Sequence, residues 1–62
     1  MNEIKRLKKI KRDRGISFEV MSRDIGVTSR TLFRWLKGES KPSLMGLILI
    51  QRYLDAEDAR VK

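Results

Sequence analysis

Five side chains between Ser29 and Lys37 hold the best-organised chemistry of the chain. Arg30, Phe33, Arg34 and Lys37 recur at i, i+3, i+4 and i+7, which places them on one side of a helix, with Ser29 at the edge of that side. A guanidinium is a planar fork of donors that can bond two acceptors at once. A serine hydroxyl donates or accepts, and a phenyl ring offers an apolar face. This is chemistry for grasping an acceptor-rich partner, not for breaking bonds. The chain has no His and no Cys. The commonest general base, the thiolate nucleophile and the usual zinc ligand sets are therefore missing. The carboxylates are scattered, and nothing assembles a nucleophile, a base and an orienting group. The sequence does not read as an enzyme, and no cofactor, metal or small-molecule ligand is expected.

Charge points the same way. The chain has 15 Lys and Arg against 8 Asp and Glu, a formal charge of +7, and its pI is near 10.4. Residues 1–41 hold twelve basic and five acidic side chains, whereas residues 42–62 hold three of each. The first two-thirds carries the whole excess, the footprint expected of a partner that is a polyanion. At 62 residues the chain reads as one domain spanning 1–62, and a chain so short buries only about 60% of its unfolded surface.

The elements that position the basic face follow from periodicity and caps. Ile4, Leu7 and Ile10 form one apolar stripe on a basic helix from Asn2, a fair N-cap, to about Arg14, where Gly15 stops it. Ser17 caps a second helix running to Ile25, with Val20, Met21 and Ile25 on its apolar side and Gly26 at its end. Thr28 caps a third that runs to Lys37, with Leu32, Trp35 and Leu36 turned inward and Gly38 after it. Ser43 caps a fourth, Leu44 to about Leu54, whose packed face is read as Leu44, Leu47, Ile48, Gln51 and Leu54. A polar tail, residues 55–62, is expected to fray.

Two short helices around Gly26-Val27-Thr28 have the sequence form of a helix-turn-helix over residues 17–37. Ser22, four residues before Gly26, lets the third helix cross close to the second. Met21, Ile25, Val27, Leu32 and Trp35 would fill the angle between them. The outward face of the third helix is then free to meet double-stranded DNA. Arg can bond guanine O6 and N7 in parallel, Ser can bond base edges or phosphate, and Phe can pack on a thymine methyl.

From Ile4 to Leu54 the chain resembles the phage-repressor and Cro family of helix-turn-helix proteins, the xenobiotic-response-element type. The resemblance rests on Ile4, Leu7 and Ile10, on Gly15-Ile16-Ser17, on Met21-Ser22 and on Ile25-Gly26-Val27-Thr28. It continues through Leu32, Arg34-Trp35, Gly38 and Lys41-Pro42-Ser43-Leu44. It implies an all-α, lambda-repressor-like bundle of four or five helices that binds palindromic operators as a dimer. Carried over, Ser29, Arg30, Phe33 and Arg34 occupy base-reading positions, and Ser17, Thr28, Lys37 and Lys41 occupy phosphate-contact positions. Three departures stand out. Phe18 replaces the Gln common at the start of the second helix. Leu36 replaces the Glu common after the Trp, leaving Lys11 without that pairing. Only residues 55–62 follow the fourth helix, where the family has a fifth.

The fourth helix is apolar nearly all round, so it must be covered on more than one side. Leu49, Ile50 and Tyr53, with Met45, lie off its expected stripe, and a second copy of the chain is the economical cover. The reading is a sequence-specific transcriptional regulator, expected to be a repressor, acting as a homodimer on duplex DNA. A second reading keeps the fold and makes the chain an antitoxin or phage accessory factor that works through a protein partner. Binding of RNA or single strands would need exposed aromatic platforms, and Phe18, Phe33 and Tyr53 are not clustered in sequence. The basic N-terminus is not followed by an apolar stretch, and the longest apolar run is Leu47–Ile50. Neither a signal peptide nor a membrane span is expected, and a cytoplasmic, nucleoid-associated location is.

Overall fold

The computed structural model describes residues 2–60, and the cap at Asn2 falls outside its described side chains. The order is α1 (Asn2–Arg14), α2 (Phe18–Ile25), α3 (Ser29–Lys37) and α4 (Leu44–Arg60). Among the described residues there is no strand. Each boundary has a local cause. The Ser17 hydroxyl accepts from the Val20 amide at 3.2 Å, and Thr28 Oγ1 accepts from the Thr31 amide at 3.2 Å. Ser43 Oγ accepts from the Gly46 amide at 3.2 Å. Each bond satisfies one of the amides that a helix start leaves without a partner. Gly26 ends α2 at φ 104°, a value that favours a residue without Cβ. Its amide and that of Val27 both donate to the Ser22 carbonyl, at 2.8 and 3.0 Å.

The core is a single cluster of Leu7, Met21, Ile25, Leu32, Trp35, Leu36, Ile50, Tyr53 and Leu54. All four helices contribute to it. Helices α2 and α3 pack on each other, and α4 lies against both α1 and α2. Ser22 of α2 is buried, and its hydroxyl donates to the Glu19 carbonyl at 3.0 Å, so its oxygen is not stranded. Val20, expected on the apolar side of α2, is exposed instead.

Helix α4 departs from the sequence reading in phase and in length. Its buried residues are Gly46, Ile50, Tyr53, Leu54 and Glu57. Leu44 and Ile48, expected on the packed face, are 78% and 45% exposed. Periodicity could not set this phase, because apolar residues lie on every side of the helix. Gly46 sets it. A Cβ there would stand 3.0 Å from Trp35 Cζ2, 3.1 Å from Cη2 and 3.3 Å from Pro42 Cβ. The helix approaches the indole along the one residue with no side chain.

Residues 55–60 continue the helix where a frayed tail was expected. Ala56 and Ala59 favour helix, and side-chain bonds pin the extension to α1. Arg6 Nη2 meets Asp58 Oδ1 at 2.7 Å, and Arg14 Nη1 meets Glu57 Oε2 at 2.8 Å. Arg14 Nη1 also donates to the Tyr53 hydroxyl at 3.4 Å. The last two residues of the expected tail, Val61 and Lys62, lie outside the described residues.

Candidate nucleic-acid interface

Because Leu32, Trp35 and Leu36 bury the inner side of α3, its other side lies outside the core cluster. Arg30, Phe33, Arg34 and Lys37 are exposed there, with Ser29 half-buried at the edge. The structure thus brings together the five residues singled out from spacing. Ser17, Thr28 and Lys41, expected near phosphates, are exposed as well. The two hydroxyls differ. Thr28 Oγ1 donates its proton to Thr31 Oγ1 at 2.9 Å, while the Ser17 hydroxyl is engaged only as an acceptor. The Ser17 proton remains available to an outside acceptor.

Neighbours tune the face. Arg34 Nε stands 4.0 Å from Glu39 Oε1, with both side chains about half exposed. A surface pair at that distance holds its guanidinium weakly. Arg30 has no such partner among the described residues. Phe33 packs edge-to-face on Phe18, ring centroids 5.3 Å apart at 75°. The Lys37 ammonium lies 5.1 Å over the Phe33 ring, and the Lys11 ammonium 4.4 Å over Phe18. Lys11, lacking a carboxylate partner from α3, is satisfied by an aromatic face.

This aromatic pair was invisible in sequence. Phe18 and Phe33 are fifteen positions apart on different helices, and only the crossing of α2 and α3 joins them. Tyr53, the third aromatic weighed as a platform, is 6% exposed and belongs to the core.

The residues expected to form a dimer contact are placed differently. Ile50 is fully buried and Tyr53 nearly so within the chain's own core, while Leu49 is half-buried and packs against that core. With α4 turned by the Gly46–Trp35 contact, its uncovered apolar residues are Leu44, Met45 and Ile48. Ile50 and Tyr53 thus serve the chain's own core and not a dimer contact.

Among the described residues no group of three or more His, Cys, Asp or Glu could hold a metal. Among the described residues no helix is long and apolar enough to cross a membrane. Comparison with protein-family models, with curated proteins and with solved structures finds no match.

Proposed function

We propose that the chain is a sequence-specific duplex-DNA-binding regulator, a Cro-like repressor with a lambda-repressor-like helix-turn-helix fold, with α3 as its recognition helix. The observation that carries this reading is the outward side of α3. It contributes no residue to the buried core, is donor-rich and has no carboxylate of its own. In this arrangement Arg30 and Arg34 read base edges, with Ser29 and Phe33 beside them. Ser17, Lys37 and Lys41 meet the backbone on either side, joined by Thr28 when its hydroxyl proton turns from Thr31 to a phosphate oxygen. Phosphate contacts position the protein and base contacts choose the site. Such a regulator works where duplex DNA is, in the cytoplasm at the nucleoid.

A homodimer remains part of the proposal, on a different patch. Leu44, Met45 and Ile48 are 78%, 64% and 45% exposed, clustered on the first turns of α4. A twofold contact would let this patch cover itself and set two α3 helices one duplex turn apart, about 34–36 Å. The same patch would also serve a heteromeric partner, the reading as an antitoxin or phage accessory factor. A size measurement on the purified chain with a pull-down separates them, since a homodimer supports the first reading and a heteromeric complex the second. For DNA binding itself the test is selection from a random duplex pool. Enrichment of a defined motif is expected, and recovery of unenriched sequence would contradict the proposal.

A further inference from the structure

Phe33 is a large apolar ring, 40% exposed, on the polar side of α3. It is not a loose surface residue. Phe18 supports it edge-to-face at 5.3 Å, and Phe18 is itself half-buried against the core. The two rings wall a shallow concavity of about 400 Å³ whose other lining residues are Ser17, Glu19, Ser29 and Arg30. An apolar surface therefore stands next to the Arg30 guanidinium and two hydroxyls. Being held in advance, the Phe33 ring loses little freedom on contact.

The geometry points to Phe33 as a reader of the pyrimidine C5-methyl group, in thymine or 5-methylcytosine, with Phe18 as the residue that positions it. This rests on the reading of α3 as a major-groove helix. In a stacked duplex the base faces are covered, and the major groove displays base edges. The apolar group on those edges is the C5-methyl, while the rest are hydrogen-bond donors and acceptors. A rigid phenyl ring entering the groove has that one favourable contact. Arg30, lining the same concavity, then addresses a base beside the methylated one. Glu19, which also lines the concavity, disfavours a phosphate beside the two rings, so the Phe33 side takes a base edge while Ser17 at the rim faces the backbone.

The test uses the duplex recovered by random-pool selection. Each thymidine is replaced singly by deoxyuridine, which removes only the methyl, and affinity is read by fluorescence anisotropy. Burying one methyl-sized group predicts about a four-fold loss at one thymidine per half-site. Cytosine placed there should bind less well than 5-methylcytosine. Phe33→Ser should bring the thymidine-to-deoxyuridine affinity ratio to one. Phe18→Leu, which keeps apolar bulk but loses the ring edge, should lower that ratio, and Phe18→Tyr should preserve it. A residue needed only for folding would scale both affinities and leave the ratio alone. A selected duplex with no methyl-sensitive position, or an unchanged ratio in Phe18→Leu, overturns this inference but leaves DNA binding intact. Failure to enrich any sequence, or tighter binding to the separated single strands, overturns both.

Discussion

Arg30 and Arg34 are chemically equal in sequence and unequal in place. The Glu39 carboxylate sits 4.0 Å from Arg34 Nε, so reading a base with Arg34 means loosening that weak pair. Losing a bidentate guanine contact costs about 1–3 kcal/mol. Arg30→Ala should lie toward the upper end and Arg34→Ala toward the lower, each relaxing preference at one base position in a competition assay. Lys37→Ala should weaken all sequences alike, since it would hold a phosphate. Equal loss across sequences from all three variants would remove α3 from recognition. Tyr53 makes a separate prediction. Burial pushes its phenol above the ordinary 10.0, Glu57 adds to the rise and Arg14 opposes it. A raised pKa means the fold prefers the neutral phenol. Its contribution is full below the unfolded value and is lost as pH climbs through the higher folded value. Tyr53 is the single tyrosine, so tyrosinate absorbance should report its titration directly. Tyr53→Phe should reduce the alkaline loss of stability seen in urea melts, and an unchanged alkaline limb would contradict this.

At the scale of elements, the strongest determinant is one that hydropathy does not display. The caps Ser17, Thr28 and Ser43 and the stop at Gly26 are legible because capping is a property of residue type at a boundary. The inward faces of α1 and α3 are legible because polar and apolar residues alternate cleanly around them. Helix α4 offers no such contrast, and its phase depends on a missing side chain at Gly46 meeting the Trp35 ring. Four of its last six residues are charged and the segment reads as a tail, yet ion pairs link Asp58 to Arg6 and Glu57 to Arg14. Those pairs span more than forty positions, beyond the reach of local pattern. The outward face of α3 was legible, and its aromatic support at Phe18 was not. Gly46→Ala should show which force dominates in α4. Helix propensity favours Ala by about 1 kcal/mol, but overpacking a tight contact costs about 1–3 kcal/mol. The indole is buried and has little room to shift, so a net loss in thermal stability is expected. A higher melting temperature would mean the indole yields easily to a Cβ that would stand 3.0 Å from it.

For the whole molecule, charge and exposed apolar surface divide the work. The basic excess lies in residues 1–41, on the side of the sequence that holds α3, and the uncovered apolar patch starts at Leu44. Binding should therefore be steep in salt, with log K falling by about 0.9 per log unit of salt for each phosphate neutralised. Near-constant affinity between low and physiological salt would remove the electrostatic footprint. Ile48→Glu should break self-association and weaken operator binding while the monomer stays folded, as judged by sedimentation equilibrium and circular dichroism. Ile50→Glu should instead unfold the chain, because Ile50 is core. A wild-type chain that stays monomeric at micromolar concentration, free and on DNA, would assign the patch to some other partner. Everything in the proposed function turns on the choice of a DNA sequence by α3. Its most direct test is random-pool selection run in parallel on wild type, Arg30→Ala and Arg34→Ala. Wild type should yield a near-palindromic motif with half-sites one turn apart, and each variant a motif that relaxes at a different base. Three identical motifs, or no motif from wild type, would contradict it.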